Sequence, residues 1–214
     1  YSVRLFLLIS IPAVAGTAVV AEPLLAVLAN PEVARAGWLV APLVTAASMF
    51  YGLAWILNSV LFVERRTKVM LASNLAAGLA KLGLGITALL AGSGLVGVAV
   101  ATLVGQLIGL GVVLRDRTIP RTALPDFVFL AKVSTASLFM VVALKAGEFP
   151  RSAIIAGAPL LATMIAAGFG LYVAGLFLLR VFSANELDFV RTSLDRLRHL
   201  RASGRGDLQD HGAD

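Results

Sequence analysis

One lysine lies in the middle of a long apolar run, where a charged side chain is most costly. Lys81 belongs to the run 69–91, and placing its charge in hydrocarbon costs about 2.5 to 3.5 kcal/mol on insertion scales. Asn74, Gly78 and Gly85 lie at spacings that put all four residues on one face of a helix. Charged residues at such depth usually face a bundle interior or a water-filled cavity. Lys81 is therefore the first candidate for a functional site.

The next apolar run, 94–114, carries a similar polar stripe. Thr102, Gln106 and Gly109 share one helical face, and Gln106 lies near the middle of the run. If the two runs form an antiparallel hairpin, Lys81 and Gln106 reach one level of the membrane. The alternative is structural: Lys81 extends along the helix surface or pairs elsewhere, and Gln106 makes an interhelical hydrogen bond.

Small and polar residues also follow one face of the run 38–63. Stripes of this kind more often mark close helix packing than a pore, and the Gly105-Gly109 pair invites the same interpretation. The stripe consists of Thr45, Ser48, Gly52, Trp55 and Ser59, with Asn58 adjacent to it.

Catalysis is not indicated by any motif. The two histidines, His199 and His211, lie near the carboxyl end without partners at metal-ligand spacing, and cysteine is absent. Neither a nucleophile elbow nor a phosphate-binding loop is present. We therefore expect no enzyme, no cofactor and no metal site.

The composition places these polar residues in a lipid bilayer. The chain of 214 residues is 59% hydrophobic and 14% charged, with a mean hydropathy of +0.92. Its apolar runs approach or exceed the roughly 20 residues that cross the hydrocarbon core as a helix. We predict an all-α polytopic membrane protein with six transmembrane helices, over residues 3–21, 38–63, 69–91, 94–114, 127–144 and 152–182.

The formal charge of +6 indicates the orientation of the chain in the membrane rather than a nucleic-acid partner. Basic residues concentrate in alternate connections, as in the turn 64–68 and the loop 115–126. By the positive-inside rule, this pattern places both termini in the cytoplasm. An even number of spans satisfies the same pattern.

The first run contains two prolines. Pro12 removes a backbone donor, so we expect a kink there and a neighbouring side chain to satisfy the freed carbonyl. We expect Pro23 to begin a new helical segment after the outer end of the span. The six-helix lobe is predicted to occupy 1–182, followed by a cytoplasmic amphipathic helix at 183–201 and a disordered tail at 202–214.

Several stretches, taken in order, resemble a known transporter family. They are LISIPAVAGTAVVAEPLLAVL at 8–28, ERRTK at 64–68, AGSGLVGVAVATLVGQ at 91–106 and the helix near Asn185. The chain resembles bacterial polysaccharide and O-antigen flippases, of the multidrug, oligosaccharidyl-lipid and polysaccharide exporter superfamily, over about residues 5–200. It departs from the family at the outer elbow, where it has Asn30-Pro31-Glu32.

The resemblance implies that the chain is most of the second of two lobes around a central cavity, with an amino-terminal lobe elsewhere. The implied substrate is a polyprenyl-diphosphate-linked oligosaccharide, moved across the cytoplasmic (inner) membrane by alternating access. Lys81 would then complement the diphosphate, Gln106, Asn74 and Asn58 would contact polar groups, and Pro12 would be a hinge. Two alternatives stay open: a drug or small-molecule antiporter of the same superfamily, and a non-transporting subunit of a polysaccharide-assembly complex.

Overall fold

The structure, a computed structural model, describes residues 2–28, 32, 34, 37–116, 119, 125–147 and 158–179. Every long regular element in these residues is an α-helix. The helices are α1 (Ser2–Leu28), α2 (Val40–Val63), α3 (Thr67–Leu90), α4 (Gly94–Leu114), α5 (Phe127–Ala146) and α6 (Ala158–Leu178).

Helix length and composition confirm an all-α polytopic membrane protein. Five helices, α1 to α5, are long and apolar enough to span a membrane. Helix α6 is apolar as well, and a sixth crossing stays a prediction. The predicted amphipathic helix at 183–201 and the predicted tail at 202–214 lie outside the described residues.

The helices pack side by side in an order that differs from their order along the chain. Helix α4 packs against both α3 and α2, α2 packs against α1, and α1 contacts both α5 and α6. The apolar core follows this order, and its buried members come from every helix except α3. Helix α3 is thus the edge of the bundle, with α4 as its main neighbour.

Helix α1 is longer than the sequence predicts. It continues to Leu28 without a break, so the expectation that Pro23 begins a new segment is wrong. The physical reason is packing: the Pro23 ring is among the most fully buried side chains, and Leu24 packs against the core. Burial of this face outweighs the missing backbone donor at Pro23.

Pro12 lies inside α1, and a side chain from another helix compensates for the hydrogen bond that this proline removes. Proline has no N–H, so the carbonyl four residues earlier, that of Leu8, loses its helical donor. The Tyr172 hydroxyl on α6 donates a hydrogen bond of 2.6 Å to this carbonyl. A neighbouring side chain therefore satisfies the freed group, as expected from the sequence. The kink itself stays a prediction.

Helices α2 and α3 are each followed by a residue in the left-handed backbone conformation. After α3, Gly92 has φ +73°, and the Ser93 N–H bonds the Ala88 carbonyl at 3.0 Å. After α2, the left-handed position is Arg65, with φ +55°. This geometry is the Schellman motif, in which glycine is the usual residue.

The turn after α2 lies close to the end of α4. Arg66 Nη1 is 3.4 Å from Asp116 Oδ2, and Asp116 follows α4. These two connections therefore lie at the same end of the bundle, as alternating spans require. Which side of the membrane this end faces stays a prediction.

The hydrogen bond between Tyr172 and Leu8 should contribute more to the free energy of unfolding when Pro12 is present. We expect Tyr172→Phe to lower the free energy of unfolding by about 1 to 2 kcal/mol, because it leaves a part-buried carbonyl unpaired. In a Pro12→Ala background the same change should cost less, because residue 12 regains an N–H for that carbonyl. Thermal unfolding in detergent of the four proteins in this double-mutant cycle measures the coupling. An equal cost in both backgrounds would contradict the assignment.

Candidate functional site

Small residues bring α3 and α4 into close contact. The Ser73 hydroxyl donates a hydrogen bond of 2.9 Å to the Gly109 carbonyl, and a Cβ atom at Gly109 would lie 2.8 Å from the Ala77 Cβ. A Cβ atom at Gly105 would lie 2.9 Å from the Ala77 carbonyl oxygen and would collide with the Lys81 Cγ. The interpretation of Gly105 and Gly109 as a helix-packing pair is confirmed.

This close packing fixes where Lys81 leaves α3. Its backbone nitrogen lies 3.2 Å from the position of a Cβ atom on Gly105, so Lys81 is level with the middle of α4. Its side chain is half-buried, and its Nζ lies 6.0 Å from the centre of the Tyr51 ring on α2. That distance is at the outer limit of a cation–π interaction. The Lys81 side chain thus extends from the edge helix α3 toward α2.

Gln106 and Asn58 are the most deeply buried of the predicted polar residues. Gln106 is 9% exposed and follows Gly105 directly on α4, which places it near the level of Lys81. Asn58, on α2, is 7% exposed. Its Oδ1 has no hydrogen-bond partner among the described residues. A buried amide oxygen in this state costs about 1 to 3 kcal/mol.

Asn74 lies apart from the other candidates. It is exposed on α3, seven residues from Lys81, or about 10 Å along the helix axis. The structure therefore brings Lys81 and Gln106 to one level, buries Asn58 on α2, and leaves Asn74 at the surface of the edge helix. The substrate-binding roles of these four residues and the hinge role of Pro12 stay predictions.

The small-residue stripe on α2 divides into two parts. A Cβ atom at Gly52 would collide with the Phe6 ring of α1, so helix packing explains this position. Ser48 and Ser59 are exposed, and their hydroxyls donate to the carbonyls of Val44 and Ile56 in their own helix. Bonds of this kind let hydroxyls face lipid at little cost.

Two aromatic residues near Lys81 were missed in the sequence analysis. The centre of the Tyr51 ring lies 6.0 Å from the Lys81 ammonium, and Trp55 lies one helical turn further along α2; the two residues are 51% and 69% exposed. A signal was present, because tyrosine and tryptophan concentrate at the ends of membrane spans. These two lie well inside the run 38–63. Trp55 belongs to the small-residue stripe of α2, and Tyr51 lies outside that stripe.

The described residues hold no group of three or more histidine, cysteine, aspartate or glutamate side chains that could bind a metal ion. The candidate residues on the adjacent helices α2, α3 and α4 are the Lys81 cation, two buried amides and two exposed aromatic rings. Side chains of these types are the ones that proteins use to bind anionic or polar ligands.

No family model, curated protein or solved structure matches the chain.

The contact between Gly105 and Lys81 predicts a strong effect of a single methyl group. Gly105→Ala should lower the free energy of unfolding by about 1 to 3 kcal/mol, because overpacking forces α3 and α4 apart. Gly111→Ala, on the same helix, is the matched control, since a Cβ atom there meets nothing within 4 Å. Thermal unfolding midpoints in detergent compare the two. Equal midpoints would contradict the close packing at Gly105.

The unpaired oxygen of Asn58 predicts a gain of stability on its removal. Asn58→Leu should raise the free energy of unfolding by about 1 kcal/mol, because the desolvation cost of the amide disappears. Asn74→Leu, at an exposed position, should change it by less than about 0.5 kcal/mol. The same unfolding assay checks both. A loss of stability in Asn58→Leu would show that its amide is engaged in the folded protein.

Proposed function

We propose that the chain is one lobe of a flippase that moves a polyprenyl-diphosphate-linked oligosaccharide across the cytoplasmic membrane by alternating access. The lobe acts with an amino-terminal lobe of the same transporter, and both termini of the chain face the cytoplasm. The observation that carries the proposal is the position of Lys81. It lies half-buried at mid-helix, with its ammonium directed toward α2 and close to a tyrosine ring.

A lysine at this depth needs either water or an anion nearby. Its ammonium has three hydrogen-bond donors and no acceptor, and a tyrosine ring satisfies the charge only in part. A diphosphate supplies charged acceptor oxygens, whose hydrogen bonds are roughly twice as strong as neutral ones. The charge of Lys81 therefore supports an anionic substrate that enters the membrane interior.

The amides supply the second part of the proposed site. Gln106 lies at nearly the same height along the bundle as Lys81, and the Asn58 oxygen has no hydrogen-bond partner among the described residues. Sugar hydroxyls are both donors and acceptors, so they match amide groups. A polar residue kept inside a membrane despite its cost is a functional candidate by default.

Pro12 supports the alternating movement of the proposed lobe. The bond from Tyr172 to the Leu8 carbonyl crosses from α6 to α1 at the level where α1 lacks its own bond. Side-chain bonds of this type can break and re-form with less disruption than a backbone ladder. Helix breaks commonly lie at the moving parts of transporters.

Removal of the Lys81 charge tests the proposed function. In the complete transporter, Lys81→Gln should lower glycan export at least about tenfold, which corresponds to one lost charge-assisted interaction of about 1.4 kcal/mol. Lys81→Arg should retain part of the export, because the charge remains. Export is measured in cells that depend on this transporter, with the amount of protein in the membrane determined in parallel.

Lys145→Gln is the control for this experiment. Lys145 is an exposed lysine in the last turn of α5, so its loss should leave export within about twofold of the original. Unchanged export in Lys81→Gln, at equal protein amount, would reject a substrate role for Lys81.

A further inference from the structure

Tyr51 and Trp55 form an exposed aromatic pair on α2. They are four residues apart, so their side chains lie on the same face, one turn above the other. More than half of each side chain is exposed. The Lys81 ammonium lies 6.0 Å from the centre of the Tyr51 ring. Tyr51 is therefore the member of the pair that lies near the cation of the proposed site.

The depth of this pair is unusual for residues with polar tips. They precede Val63, the last residue of α2, by twelve and eight positions, or by about 18 Å and about 12 Å along the helix. Both therefore lie within a hydrocarbon core of about 30 Å. Tyrosine and tryptophan favour the interfaces because the phenol O–H and the indole N–H need a polar partner.

Other exposed aromatic residues of the bundle fit lipid better. Phe139 on α5 and Phe169 on α6 are also more than half exposed, but phenylalanine has no polar atom to satisfy. The difference in residue type indicates that the surface around Tyr51 and Trp55 faces something that offers hydrogen bonds.

We propose that Tyr51 and Trp55 are the platform that binds the sugar next to the diphosphate, and this inference rests on the proposed function. A pyranose has a face of C–H groups, which an aromatic ring can bury, and a rim of hydroxyls, which the phenol and indole tips can reach. In a diphosphate-linked glycan the first sugar lies one bridging oxygen from the charge. An anion held by Lys81 therefore has its sugar within reach of the Tyr51 ring, whose centre is 6.0 Å from the ammonium.

Two probes separate the sugar platform from the diphosphate site. One is farnesyl diphosphate, which has no sugar, and the other is farnesyl diphosphate that carries a disaccharide. Dissociation constants are measured by calorimetry on the complete protein in detergent. The variants are Tyr51→Leu, Trp55→Leu and Tyr51→Phe, with Phe139→Leu as the matched control for an exposed aromatic residue.

The original protein should bind the disaccharide probe more tightly than farnesyl diphosphate. Tyr51→Leu and Trp55→Leu should each weaken binding of the disaccharide probe about tenfold and change binding of farnesyl diphosphate less than about threefold. Tyr51→Phe should lose less than Tyr51→Leu, because the ring remains. Phe139→Leu should bind both probes as the original does.

Each failure has its own meaning. If the leucine variants bind the disaccharide probe as tightly as the original protein, the sugar platform is overturned while the diphosphate site stands. If the original protein binds neither probe, the proposed function fails. Because Tyr51 and Trp55 are on the surface of α2, the leucine variants should unfold at temperatures close to that of the original protein. If Tyr51→Leu does not fold, Trp55→Leu gives an independent measurement.

Discussion

The hydrocarbon core offers no water to satisfy a polar group, and this constraint accounts for most of the described structure. Backbone groups are satisfied within six helices. Hydroxyls such as those of Thr45 and Ser48 donate to carbonyls of their own helix. Where Pro12 interrupts this pattern, the Tyr172 hydroxyl supplies the missing donor to Leu8. The polar groups that do not follow this rule are then the informative ones.

Two of these exceptions, Lys81 and the Asn58 oxygen, lie on the side formed by α2, α3 and α4, and the Ser10 hydroxyl on α1 also has no hydrogen-bond partner among the described residues. The apolar core formed with α1, α5 and α6 contains bulky side chains such as Met140, Met164 and Leu144. The side formed by α2, α4 and α3 instead contains small residues, Lys81 and the two buried amides. Small residues allow α3 to approach α4 closely, and this approach fixes the level at which the lysine emerges. The bundle thus joins a side whose core is built from bulky residues to a side where small residues allow close helix contact.

The helices could be predicted from the sequence because bilayer thickness sets their length. The packing of Gly105 and Gly109 could be predicted as well, since the spacing of small residues is a local pattern. The partner of the Leu8 carbonyl could not be named, because Tyr172 is 164 residues away and only tertiary packing joins them. Pro23 was misjudged because its local preference for a helix start yields to burial in the bundle. The position of Tyr51 beside Lys81 could not be predicted, because it depends on how α2 packs next to α3 and α4.

The residue at the left-handed position after α2 is an arginine, so both the backbone conformation and the charge of this turn depend on it. An L-residue in that conformation costs about 1 to 2 kcal/mol that glycine would avoid, and Arg65 has φ +55°. A basic residue at a short turn, however, helps to decide which side of the membrane the turn occupies during insertion. A glycine there would relax the backbone and weaken the orientation signal. Arg65 thus combines a backbone conformation that favours glycine with a side chain that adds to the positive charge of the turn 64–68.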